Sequence, residues 1–193
     1  MIKHIELLET IKIEAGRVEN INWHNQRCNR SRKSLFSSQN EIDLLEYIRP
    51  PQEGLFRCRI LYSQDINSVE YIPYSYKKIT TIKVIKSQIE YPYKYSNRDE
   101  LNALLLPEYD EIIIEKNGLI TDTSIANIAL YQDNKWITPQ TPLLEGTLRA
   151  KLLENNFLHE KEIRKEELQN FSHFALMNAM IGFQIQKNIT IDV

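Results

Sequence analysis

The chain has 193 residues and a formal net charge of −2, with 24 basic and 26 acidic residues mixed along its length. This balance gives no basic stripe that would bind a phosphate backbone, so we expect no nucleic-acid partner. No apolar run approaches the roughly 20 residues that cross a bilayer, and the charged N-terminus is unlike a signal peptide. We therefore expect a cytoplasmic protein that binds no membrane.

The two cysteines, Cys28 and Cys58, have neither the spacing of metal ligands nor the density of a disulfide framework. A reducing compartment is consistent with this pattern. We expect no metal site.

The first half of the chain predicts an α+β unit. Residues 5–14 end in an alternating apolar pattern and reach a turn at Ala15-Gly16, after which a short strand returns. Residues 22–36 show the three- and four-residue spacing of a helix face, and Pro50-Pro51 ends a second short helix. The predicted second helix and the three strands that follow span residues 44–48, 56–62, 68–74 and 79–85.

The second half predicts an α/β unit. The polar and aromatic segment 87–96 reads as a connector, so we expect one domain at 1–88 and another at 89–193. A turn is predicted at Asn117-Gly118, and Gly146 precedes a helix. The predicted helices span 98–105 and 147–155, and the predicted strands span 111–115, 126–131, 135–138, 174–177 and 183–185.

The run from Gly118 to Arg149 is the most specific feature of the sequence. It contains an acid five positions before an asparagine, a Thr-Pro pair and a Gly-x-x-Arg pattern that opens a helix. These elements are Gly118, Asp122, Asn127, Thr138-Pro139, Gly146 and Arg149. Their order and spacing resemble the class IV aminotransferases, the fold-type IV enzymes that use pyridoxal 5'-phosphate (PLP).

The resemblance extends upstream. Lys94 is followed by Asn97-Arg98 before a predicted helix, as the Schiff-base lysine of that family is, and His24-x-x-Arg27 resembles its phosphate-binding helix. The match runs from about Leu8 to Phe183. Members of the family usually carry more residues before the segment LLETIKIEAG, so the resemblance implies a fold-type IV enzyme with a shortened N-terminus.

The resemblance implies a role for each matching residue. Lys94 would hold the cofactor covalently, because a lysine amine condenses with an aldehyde. Asp122 would keep the pyridine nitrogen protonated, although the family usually has glutamate there and an Asx-turn is the alternative role. The remaining cofactor contacts would come from Arg27, Asn127, Gly146, Thr147, Leu148, Asn178 and Ala179. We expect His24 to pack or to donate a hydrogen bond rather than to act as a base.

Three functions remain open. Within the family the sequence resembles most the lyases that release pyruvate and 4-aminobenzoate from 4-amino-4-deoxychorismate, because Asn178-Ala179-Met180 and an apolar Leu148 are compatible with them. An amino-acid transaminase (branched-chain or D-amino-acid) is the alternative, and a non-catalytic PLP-binding homologue is the third. Arg57 and Arg59 alternate along one predicted strand, and one or both would bind the substrate carboxylates, unless they are exposed strand charges. We also expect a homodimer that binds a small-molecule substrate.

Overall fold

The computed structural model describes residues 5–193 and contains three β-sheets with helices, a mixed α/β architecture. The chain forms two compact units. The first comprises the residues up to Tyr76 together with Tyr93–Asn97, and the second comprises Lys77–Pro92 together with Arg98–Val193. The longest described helix has 16 residues and is largely polar, so no described helix could cross a membrane.

The first unit is a four-stranded antiparallel sheet with one long helix. A turn with positive φ at Ala15 and Gly16 joins its first two strands, and the strand order is β2-β1-β3-β4. Its elements are β1 (Leu7–Glu14), β2 (Arg17–Val18), α1 (Ile21–Phe36), a 3-10 helix (Leu44–Tyr47), β3 (Leu55–Tyr62) and β4 (Ile66–Pro73).

Side chains alternate across this sheet, and one face forms the core of the first unit. Strands have a period of two, so every second residue of β1 and β3 points to the same side. The residues on this side pack with Cys28 of α1; they are Leu7, Ile11, Ile13, Cys58, Ile60 and Tyr62. Arg57 and Arg59 lie on the opposite face, as their alternation with buried Cys58 predicts.

The segment Tyr93–Asn97 lies beside the start of β1, where the short strand β2 does not reach. The Leu8 N–H donates to the carbonyl of Lys94 at 2.8 Å, and the Ser96 N–H donates to the carbonyl of Glu6 at 2.9 Å. Leu7 and Tyr95 form an antiparallel bridge. These backbone contacts place Lys94 in the first unit.

The second unit contains two sheets. In chain order its elements are β5 (Thr81–Lys86), α2 (Asp99–Asn102), β6 (Glu111–Lys116), β7 (Leu119–Thr123), β8 (Asn127–Gln132), β9 (Lys135–Pro139), α3 (Thr147–Glu154), β10 (Leu158–Lys161), a 3-10 helix (Lys165–Asn170), β11 (His173–Asn178), β12 (Gly182–Gln186) and β13 (Thr190–Asp192). The four-stranded sheet has the order β13-β5-β6-β7, and the five-stranded sheet has the order β10-β9-β8-β11-β12.

One apolar cluster joins the two sheets of the second unit. Ile82 on β5, Ile113 on β6 and Ile120 on β7 are buried together with Ile128 on β8 and Leu176 on β11. Because β7 runs directly into β8, the chain passes from one sheet to the other between residues 123 and 127. This crossing brings the Gly118 to Arg149 pattern into the core of the unit.

The expected division after residue 88 differs from the observed units. Strand β5 was placed in the domain 1–88, but it pairs in parallel with β6 and with β13, so it belongs to the second unit. The predicted helix at 44–48 is a single 3-10 turn. Local patterns indicate that a segment is a strand without indicating its partner, because parallel pairing is set by contacts distant in sequence.

Candidate active site

Asp122 is a buried acid near the end of β7. Its Oδ1 accepts a hydrogen bond from Asn127 Nδ2 at 2.8 Å, and its Oδ2 accepts one from the Leu144 N–H at 3.0 Å. Asn127 Nδ2 also donates to the Leu144 carbonyl at 2.8 Å. The acid and the asparagine five positions later therefore fix the loop before α3 against the sheet.

The environment of Asp122 is short of positive charge. Burial raises its pKa to about 6, even though the hydrogen bonds from Leu144 and Asn127 and the charge of Arg149 act in the opposite direction. Both donors are neutral amides, and no basic side chain among residues 5–193 forms an ion pair with it. A cationic partner would stabilise the ionised form of a carboxylate that is buried in this way.

Gly146 lies at the N-terminus of α3 because no larger residue fits there. A Cβ at this position would lie 2.0 Å from Asn127 Oδ1, well inside van der Waals contact. The glycine backbone is extended, with φ −68° and ψ 144°, so the requirement is for space and not for an unusual φ. The Asn127 side chain that holds Asp122 thus also holds the start of α3.

The first turn of α3 presents backbone amides. Its first intrahelical bond runs from the Ala150 N–H to the Gly146 carbonyl at 2.9 Å, and no side chain caps the helix. The N–H groups of Thr147, Leu148 and Arg149 precede that bond, and the turn contains no acidic residue. Such an N-terminus favours an anion.

Leu148 contributes only its backbone to this surface. Its side chain is buried with Ala129, Leu158, Ala175 and Met177 in a separate apolar cluster. The Leu148 side chain therefore packs within the second unit, and its compatibility with the lyases stays a prediction. Its expected backbone contact with the cofactor stays a prediction, as does that of Thr147, which is also buried.

Arg149, the last residue of the Gly-x-x-Arg pattern, anchors α3. Its Nη2 donates to the Pro139 carbonyl at 2.9 Å and to Glu160 Oε1 at 2.6 Å. Pro139 ends β9 and Glu160 lies on β10, so the guanidinium holds the helix start against two strands. Arg149 of the Gly-x-x-Arg pattern therefore fixes the position of the backbone amides in the first turn of α3.

Asn178 organises the turn between β11 and β12. Its Oδ1 accepts from the N–H groups of Met180 and Ile181, both at 2.9 Å, and its Nδ2 donates to the Ile125 carbonyl at 3.1 Å. The side chain expected to contact the cofactor is therefore engaged in holding two loops. Contacts from Asn178 and from Ala179 to a cofactor stay predictions.

Arg27 is bound to an acid that sequence reasoning did not single out. Its Nε donates to Glu9 Oε1 at 2.8 Å and its Nη2 donates to Glu9 Oε2 at 2.6 Å. His24 Nδ1 lies 2.5 Å from the same Oε2. The expected hydrogen-bonding role of His24 is therefore found. An acid at an inward position of β1, opposite two polar residues on one helix face, was the signal for Glu9.

Lys94 lies close to this cluster. It is half-buried, and its backbone is bonded to Leu8, the residue before Glu9. Its positive charge contributes to lowering the pKa of His24. The lysine, the arginine and the buried acid are thus brought together in the first unit.

The two strand arginines have different surroundings. Arg59 Nη1 donates to Glu70 Oε2 at 3.1 Å, in a pair whose side chains are 30% and 48% exposed. Arg57 has a buried Nε without a hydrogen-bond acceptor among the described residues. Arg59 therefore resembles a surface ion pair, and Arg57 is the better candidate for binding an anion.

The candidate residues divide between the two units. Arg27, Arg57, Arg59 and Lys94 belong to the first. The second holds Asp122, Asn127, Gly146, Thr147, Leu148, Asn178 and Ala179.

Comparison with known proteins finds a matching family and several similar chains. A family model described as amino-transferase class IV matches residues 101–189. The chain is 40% identical over 184 residues to an uncharacterised protein of Haemophilus influenzae strain KW20/Rd, covering 91% of this chain and 98% of that one. It is 40% identical to a crystal structure from Haemophilus somnus provisionally named 4-amino-4-deoxychorismate lyase, with a TM-score of 0.85, covering 94% of this chain and 100% of that one.

A more distant solved structure shares the fold. A hypothetical aminotransferase from Mycobacterium tuberculosis in its PLP-bound form has a TM-score of 0.78 and 16% identity, covering 99% of this chain and 82% of that one. The fold is therefore that of the fold-type IV aminotransferases.

The close contact between Gly146 and Asn127 predicts energetic coupling. Gly146→Ala should destabilise the protein because the added Cβ displaces the Asn127 side chain and breaks its bonds to Asp122 and Leu144. In an Asn127→Ala background the same change should cost at least about 1 kcal/mol less, because the obstructing side chain is gone. Urea unfolding of the two single variants and the double variant measures this difference. Additive free energies of unfolding would contradict the contact.

Proposed function

Because the chain belongs to the class IV aminotransferase family, we propose that it is a PLP enzyme that eliminates pyruvate from 4-amino-4-deoxychorismate and releases 4-aminobenzoate. The family supplies the cofactor class, since its members typically use PLP. The relative from Haemophilus somnus, whose provisional name is that of this lyase, supports the reaction.

The observation that carries the proposal is the buried Asp122 carboxylate. It is held by two neutral N–H donors, and burial raises its pKa to about 6, so it is mostly ionised at pH 7. A carboxylate accepts about four hydrogen bonds, so it has capacity for a further donor. A protonated pyridine nitrogen supplies both the donor and the positive charge, and the residue therefore fits the cofactor.

The phosphate of the cofactor has two matching groups in the chain. The first turn of α3 offers backbone amides and itself contains no acidic residue. Arg27 offers a guanidinium whose orientation is fixed by Glu9. Amides at a helix N-terminus and a guanidinium are both favoured ligands of phosphate.

Lys94 carries the proton transfers in this proposal. PLP, when bound, supplies an electron sink for the carbon that bears the substrate amine. The Lys94 Nζ amine would take the proton from that carbon and would later return a proton to the departing enolpyruvate. The C–O bond to the enolpyruvyl group breaks, the ring becomes aromatic, and the atoms of the substrate equal those of the two products.

The substrate of this reaction carries two carboxylates, which need cations or amides. We assign one of them to Arg57, because its buried Nε has no acceptor in the described residues while Arg59 is paired with Glu70. A ligand carboxylate would satisfy Arg57 by a charge-assisted hydrogen bond. Of the two strand arginines, we therefore propose Arg57 as the ligand of a substrate carboxylate.

Product analysis tests the proposed reaction. Purified protein loaded with PLP should convert 4-amino-4-deoxychorismate to equal amounts of pyruvate and 4-aminobenzoate, measured by coupled lactate dehydrogenase and by chromatography. Transfer of an amino group to an oxo acid would identify a transaminase instead. PLP binding with neither product would leave a binding protein and overturn the enzymatic proposal.

Substitution of Asp122 tests the role of the carboxylate. Asp122→Asn should lose one of the two hydrogen bonds that the Asp122 oxygens accept and should keep the bound cofactor, while turnover per folded molecule falls by roughly 10²-fold or more, because a neutral amide no longer stabilises the protonated ring nitrogen. Asp122→Glu should be milder, since it keeps the charge. Turnover, visible absorbance of bound cofactor and thermal stability are measured for both variants.

A matched control separates this role from a structural one. Asp110 accepts hydrogen bonds from the backbone and hydroxyl groups of Thr80 and Thr81 in the same unit, and it has no assigned role in the reaction. Asp110→Asn should lower stability without lowering turnover per folded molecule. If Asp122 only forms a turn, Asp122→Asn should be fully active and Asp122→Glu should be the damaging change.

A further inference from the structure

Glu9 is an ionised carboxylate at a core position. It lies on β1 between Leu7 and Ile11, on the face that packs against α1, and none of its surface is exposed. Burying a charge is strongly unfavourable unless the charge is paired and hydrogen-bonded. A strand position that an apolar residue would fill more favourably therefore holds an acid for a reason other than packing.

Three hydrogen bonds satisfy this carboxylate. Arg27 donates to both oxygens, from Nε to Oε1 at 2.8 Å and from Nη2 to Oε2 at 2.6 Å, and His24 Nδ1 lies 2.5 Å from Oε2. Burial alone would raise the pKa of Glu9, but the charge of Arg27 and the hydrogen bonds from His24 and Arg27 outweigh it and lower the pKa to about 2. Glu9 is therefore ionised throughout the physiological range.

His24 is neutral in this cluster. Burial lowers its pKa, the positive charges of Arg27 and Lys94 lower it further, and the interactions with Glu9 only partly oppose them. A neutral imidazole has one N–H, and facing a carboxylate that proton lies on Nδ1 and is donated to Glu9. The cluster thus consists of one ion pair, between Glu9 and Arg27, and one further hydrogen bond that the neutral His24 donates to Glu9.

The two hydrogen bonds to Glu9 fix the plane of the Arg27 guanidinium. An arginine side chain has many rotamers to lose, and its five N–H donors lie in one rigid plane. Because the contacts join two donors to two oxygens, they set both the position and the rotation of that plane. An arginine held in this way loses less freedom when it meets a second anion.

We infer that Glu9 is a positioning residue for the cofactor phosphate, acting by holding Arg27 in its phosphate-binding orientation. This inference rests on the proposed function in so far as PLP is the ligand. It differs from a purely structural ion pair in one respect. A positioning role affects the binding of the phosphate group specifically, whereas a structural role affects every ligand equally.

Comparison of PLP with pyridoxal, which lacks the phosphate, isolates that effect. The ratio of the pyridoxal dissociation constant to the PLP dissociation constant measures the contribution of the phosphate. In Glu9→Gln this ratio should fall at least about tenfold, while the dissociation constant of pyridoxal changes little. Glu14→Gln is the matched control on the same strand, because Glu14 pairs with Lys12 and its side chain is 53% exposed; its ratio should equal that of wild type.

A second background covers the case in which Glu9→Gln fails to fold. Replacing both members of a buried pair is tolerated better than replacing one, so Arg27→Gln and the double variant Glu9→Gln/Arg27→Gln are also titrated. With Arg27 absent, removal of Glu9 should leave the ratio unchanged. A further fall in the double variant would overturn the inference, because Glu9 would then act on the phosphate without Arg27.

The remaining outcomes are also decisive. An unchanged ratio in folded Glu9→Gln protein would make the pair purely structural, and a raised ratio would make Glu9 a competitor of the phosphate; either result overturns the inference. Wild-type protein that binds PLP but yields no pyruvate refutes the proposed reaction and leaves the role of Glu9 intact. Wild-type protein that binds neither compound overturns both.

Discussion

The burial of one carboxylate, Asp122, constrains the rest of the second unit. Its two oxygens accept hydrogen bonds from Asn127 and from the backbone of Leu144, so β7, the start of β8 and the loop before α3 must meet at this point. The same asparagine requires Gly146 to lack a side chain, which fixes where α3 begins. The acid, the asparagine and the glycine of the sequence pattern therefore act together through direct contacts. These contacts fix the start of α3 and, with it, the position of the backbone amides in its first turn.

Two of the buried carboxylates, Glu9 and Asp122, have opposite surroundings. Glu9 meets a guanidinium, and its pKa is lowered to about 2; Asp122 meets only neutral donors, and burial raises its pKa to about 6. The contrast follows from charge, because both side chains are buried and both are hydrogen-bonded. The charge of Glu9 is already paired with Arg27 of the same chain, whereas an external cation would stabilise the charge of Asp122. This difference supports our proposals that Glu9 positions a side chain and that Asp122 binds a ligand.

Sequence reasoning predicted the elements well where the signal is local. The Asn117-Gly118 turn joins β6 to β7 with positive φ at both residues, and Gly146 immediately precedes α3. Strands β7, β10 and β13 were not predicted, because they are short and rich in polar residues. The placement of β5 and the partner of Arg27 depended on contacts between segments distant in sequence, which a pattern within one segment does not contain. The matched motif therefore named Arg27, and only the fold supplied Glu9.

The central claim is that the chain binds PLP covalently through Lys94. Titration of the purified protein with PLP, reduction with borohydride and peptide mapping by mass spectrometry test it directly. We predict a visible absorbance band that borohydride abolishes, with the reduced cofactor attached to Lys94 and to no other lysine. Recovery of the adduct on a different lysine, or a protein that remains colourless at saturating PLP, would contradict the account.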